Sequence, residues 1–68
     1  MNLLKELSVK ETELLKDIGI NIEDRNYDKE ERKKVALNVE EFIISHSTKN
    51  NDISILQDKY SNIIYKLI

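Results

Sequence analysis

At 68 residues the chain has room for one small domain, residues 1–68, near the lower limit for folding alone. Its 40% hydrophobic and 35% charged residues exclude a disordered polymer, and contiguous apolar runs such as Phe42-Ile43-Ile44 fall far below the roughly 18 residues of a spanning helix. With no cysteine and a net charge of −2, it offers no disulfide framework, no thiolate chemistry and no basic excess of the size that nucleic acid demands.

The first predicted helix covers about 2–18. Leu3, Leu4, Leu7, Leu14, Leu15 and Ile18 fall within about 120° of arc at the helical period, as a core-facing helix requires. Gly19, the only glycine, follows them and suits the left-handed position that closes a helix. Ser8-Val9-Lys10-Glu11 matches a capping box, but the stripe passes through it in phase, so one continuous helix is expected and the motif is read as coincidence.

The connection from Ile20 to Asp28 is long for a helical hairpin, and Ile20, Ile22 and Tyr27 are expected to fold over the end of the core. Its alternation at Ile20-Asn21-Ile22-Glu23 also fits a short strand, with no obvious partner. Asp28 with Glu31 three residues later is the stronger capping signal. The second helix, about 29–46, carries Val35, Ala36, Val39, Phe42, Ile43 and His46 on one face. A polar turn over 47–52 follows, with Asn51, Asp52 or Ser54 as the next cap. The third helix, about 52–68, carries Ile53, Leu56, Tyr60, Ile63, Ile64 and Leu67. Three matched helices give an all-α, antiparallel up-down-up three-helix bundle. A two-helix hairpin with a loosely attached first helix is the alternative. So small a core leaves a monomer marginal, and association would help it.

Each helix has apolar residues off its stripe: Val9 on the first, Leu37 and Ile44 on the second, Ile55 and Tyr65 on the third. Scattered exposed aliphatics are ordinary. Leu37 and Ile44 differ because they stand seven apart and form a line about 180° from the core face. That line is the candidate partner-binding surface, for a partner helix or for a second copy in a homodimer.

Two polar residues interrupt the stripes. Glu11 lies amid the first, level with Val39 and Tyr60, and needs a partner such as the Tyr60 hydroxyl; the functional reading, an acid of raised pKa in a pocket, lacks a base or nucleophile to work with. His46 ends the second, level with Leu4 and Ile53, where capping or packing suffices. A lone histidine with no carboxylate at i±3 or i±4 makes no metal site.

The densest charge run, Lys29-Glu30-Glu31-Arg32-Lys33-Lys34, reads as a solvated helix start with Glu30 and Lys34 paired at i,i+4. The rival reading is a nucleic-acid-associated accessory protein using Lys29, Arg32, Lys33 and Lys34, although the interleaved acids dilute the field. On the third helix Lys59, Lys66, Gln57 and Asn62 are offset by Asp52 and Asp58, a poor recognition helix. One glycine excludes phosphate-cradling loops, and no catalytic triad can be assembled. No enzyme, cofactor or metal is expected.

Nine lysines to two arginines, with abundant Ile and Asn, point to an AT-rich bacterial genome. Met1-Asn2-Leu3-Leu4-Lys5-Glu6 lacks the pattern of a secretory signal, so a cytoplasmic location is expected. The function expected is a protein-protein interaction or regulatory module.

Overall fold

Two consecutive extended residues, Leu7 (φ −91°, ψ 144°) and Ser8 (φ −73°, ψ 162°), break the first stripe where its capping box sits. The computed structural model describes residues 2–47 and 50–68, the side chains of residues 50 and 51 excepted. Within them the chain is mostly helical: α1 Leu3–Glu6, α2 Val9–Asp17, α3 Lys29–Ser45 and α4 Asn50–Leu67. The helix expected over 2–18 is therefore two helices, and the motif taken as coincidence is real. Ser8 Oγ accepts from the Glu11 N–H at 3.1 Å, and the Glu11 carboxylate accepts from the Ser8 N–H at 2.9 Å. Both donors would otherwise stand free at a helix start. Asn2 caps the single turn of α1 by accepting from the Leu4 N–H.

Gly19 closes α2 as its composition predicts, with φ of +83°. The Ile20 N–H bonds the Leu15 carbonyl and the Gly19 N–H bonds the Lys16 carbonyl, the two bonds of a Schellman closure. Asp28 and Glu31 form the second capping box and start α3 as expected. The last helix begins at Asn50, two residues before its expected start, so Asp52 lies in its first turn and Ser54 deeper still, and neither is the cap. A capping role for the Asn51 side chain, and part of the polar turn, lie outside the described residues.

The core holds Leu3, Leu7, Leu15, Ile22, Ala36, Val39, Ile43, Tyr60, Ile63 and Leu67, with Ile20 and Tyr27 half-buried against it. The Ile20–Asp28 connection thus covers the core as anticipated. Among the described residues it forms no strand, and its one ladder contact there is an isolated antiparallel bridge between Asn26 and Asn2, a partner the sequence did not advertise.

The helices differ from the expected course in direction. Arg32, near the start of α3, donates to the Lys66 carbonyl at the end of α4 (3.4 Å), so these two helices run antiparallel. Arg32 also pairs with Glu6, which places α1 at that same end of α3, opposite His46. Glu11 meets Lys66 while Asp17 acts electrostatically on Tyr60, so ascending α2 means descending α4. Glu11 is therefore not level with Tyr60, and Leu4 is not level with His46. The all-α class holds, but the first arm is short, broken and reversed relative to an up-down-up bundle. A connection long enough to return beside α2 is what permits this.

Candidate interaction surface

Burial of Ala36, Val39 and Ile43 fixes which side of α3 faces inward. Helical geometry then turns Leu37 and Ile44 outward together, and they are 55% and 72% exposed. Ile44 also forms the rim of a shallow groove of about 200 Å³ between α3 and α4, lined with Glu40, Ile43, Gln57 and Ile64. Lys33, Lys34, Glu40 and Glu41 flank the line, all exposed and none in an ion pair among the described residues. The expected Glu30–Lys34 pair does not form; the Lys34 charge acts on Glu31 instead.

Val9 on α2 and Ile55 and Tyr65 on α4 are exposed as anticipated. Ile68 is exposed as well.

Glu11 does not hydrogen-bond Tyr60. Its partner is the Lys66 ammonium at 2.7 Å, and this bond, helped by the Ser8 N–H, holds its carboxyl below the usual carboxylate range. A poised acid needs the opposite shift. Lys66 is reached because α2 restarts at Ser8 and runs against α4. Tyr60 is buried, and burial, with a smaller contribution from Asp17, pushes its hydroxyl pKa up.

His46 is the C-cap of α3 and lies exposed, its ring stacked on Phe42 with centroids 4.1 Å apart. Its Nδ1 is 3.1 Å from both the Phe42 carbonyl and Ser45 Oγ. These contacts tie it to its own helix end. Among the described residues no group of His, Asp and Glu is arranged to hold a metal ion.

The basic run does not act as a unit. Arg32 is turned inward, pairing with Glu6 and the Lys66 carbonyl, while Lys29, Lys33 and Lys34 point to solvent. A second arginine cluster escaped the sequence: Arg25 pairs with Glu23 (3.0 Å) and Glu31 (2.7 Å) and stacks over Tyr27, whose hydroxyl accepts from the Glu23 N–H. Both arginines are structural ties. No spacing rule marks either, because their partners lie on other elements or in an irregular loop. No helix is long and apolar enough to cross a membrane among the described residues. No known protein family, curated protein or solved structure matches the chain.

Proposed function

We propose that the chain is a single small helical domain, three-layered when α1 and α2 count as one arm, that works in the bacterial cytoplasm as a protein-protein interaction or regulatory module. It performs no reaction of its own and takes no cofactor or small-molecule substrate. The observation that supports this reading is the line of Leu37 and Ile44: two large aliphatics held in water by a helix whose other side is fully committed to the core. Exposed apolar surface of this kind is relieved by a partner, either another protein or a second copy. The Ile44 groove widens the apolar surface a partner would cover.

The nucleic-acid reading has less behind it. Arg32 is occupied by Glu6, and the remaining Lys29, Lys33 and Lys34 are interleaved with Glu30 and Glu31. Binding that strengthens steeply at low ionic strength would favour it.

The test is capture from native lysate on the immobilised chain, beside a Leu37→Asp/Ile44→Asp control whose substitutions leave the core intact. The reading expects every specifically captured protein, or the self-associated form, to disappear in the control. An unchanged set of captured proteins removes this surface from the function.

A further inference from the structure

We infer that the occupant of the α3 face is a second copy of this chain, docked antiparallel with its two-fold axis at Leu37. The inference rests on the proposed interaction surface and adds the partner and its register. The charges around Leu37 are antisymmetric: Lys33 and Lys34 stand four and three residues before it, Glu40 and Glu41 three and four residues after it. At the helical period Lys33 and Glu40 share one flank of the Leu37–Ile44 line, while Lys34 and Glu41 share the other. All four are exposed, and none has an ion-pair partner among the described residues.

A two-fold axis perpendicular to both facing helices reverses direction but keeps each flank on its own side. With the axis at Leu37, each Lys33 falls opposite the second copy's Glu40, and each Lys34 opposite the second copy's Glu41. Four complementary pairs result, bordering a Leu37–Leu37 contact. Ile44 then lies over the aliphatic stems of Glu30 and Lys33 in the second copy, covering it from water.

The competing registers fail on the same charges. A parallel pair sets lysines against lysines and glutamates against glutamates. An antiparallel pair centred between Glu40 and Glu41 would join Leu37 to Ile44, but it gathers four carboxylates at the axis. Like charges across an interface select against a register as firmly as opposite charges select for one.

The absence of cysteine makes the register directly readable. In sedimentation equilibrium the wild type is expected to reach twice its mass at high micromolar concentration. Under oxidised glutathione, Leu37→Cys is expected to trap a disulfide-linked dimer. Ile44→Cys is not, since its two copies would stand about 21 Å apart along the helices, well beyond disulfide reach. Lys33→Glu/Lys34→Glu should weaken self-association at least tenfold, and adding Glu40→Lys/Glu41→Lys in the same chain should restore it. That restoration stands even if the cysteine weakens the central contact. Trapping by both single cysteines, trapping only when the two variants are mixed, or no rescue by the fourfold exchange overturns the register. A wild type that stays monomeric overturns the inference outright, while capture of another protein that Leu37→Asp/Ile44→Asp abolishes would leave the interaction reading standing.

Discussion

Glu11 and Lys66, 55 residues apart, meet at the same carboxylate oxygen that closes the capping box at Ser8. One side chain therefore both starts α2 and fastens it to the end of α4. Substitutions can separate the two tasks. Glu11→Gln keeps a capping acceptor and loses the ion pair, which is partly exposed, so it should cost about 0.5–1 kcal/mol. Glu11→Ala loses both and should cost about 1–2 kcal/mol. Urea denaturation at neutral pH reads the difference, and Lys66→Met should match Glu11→Gln. Equal costs for Gln and Ala would mean that the cap contributes nothing.

The same pairing sets the acid response. Lys66, and then the Ser8 N–H, hold Glu11 below its ordinary pKa in the folded state, and Arg25 does the same for Glu31. A carboxylate whose folded pKa is depressed adds stability above its unfolded value, about 4.3, and loses it as pH falls through the folded one. The urea midpoint should fall as pH drops below about 4.3, and less steeply in Glu11→Gln. An identical fall in that variant would contradict the assignment.

Tyr60 gives the opposite sign. Burial raises its folded pKa, so its contribution is complete below the unfolded value of about 10 and disappears as pH rises through the folded one. Alkaline ultraviolet titration should show a tyrosinate phase beginning above the ordinary range and coinciding with loss of helical circular dichroism. Tyr60→Phe should abolish that phase. Its persistence would assign it elsewhere.

Arg32 bridges three elements through Glu6 and the Lys66 carbonyl, with both charged side chains largely shielded from solvent. Arg32→Ala should cost about 1–2 kcal/mol. Amide exchange should accelerate most in α1, which has only one turn of its own. Arg32→Lys should recover only part, because one ammonium cannot reproduce the guanidinium's forked reach to both partners. Uniform acceleration across α1 and α3 would argue against a local clamp.

Gly19 is a backbone requirement alone, since a Cβ placed there meets nothing within 4 Å. Gly19→Ala should therefore cost about 1 kcal/mol from its positive φ, and Gly19→Asn less. A much larger loss would reveal packing that the structure does not contain.

Much of this architecture was legible from apolar spacing. Ala36, Val39 and Ile43 on α3, and Tyr60, Ile63 and Leu67 on α4, are buried as the period requires, and Gly19 and Asp28 end and begin helices where their chemistry directs. The break at Leu7–Ser8 was not, because two extended residues leave the flanking leucines in phase and periodicity cannot register them. The capping box did register it, and local hydrogen bonding prevailed over an uninterrupted stripe. The course of α2 was hidden for another reason: Glu6–Arg32 and Glu11–Lys66 are long-range pairs among many charges, and sequence spacing is silent about which meet. The candidate surface was legible as far as exposure goes, since Leu37 and Ile44 are outward.

The break at Ser8 also bears on how the molecule is made. The arm formed by α1 and α2 is fastened by Arg32 and Lys66, so it waits for side chains 26 and 55 residues further along the chain. At roughly 5–20 residues per second that delay lasts several seconds, during which Leu3, Leu7 and Leu15 have no finished core to enter. Arg32 follows Glu6 by 26 residues and Lys66 follows Arg32 by 34, so the arm meets its first tie before the end of α4 is made. Synthesis thus offers the arm its two ties one after the other, whereas refolding from denaturant presents both at once.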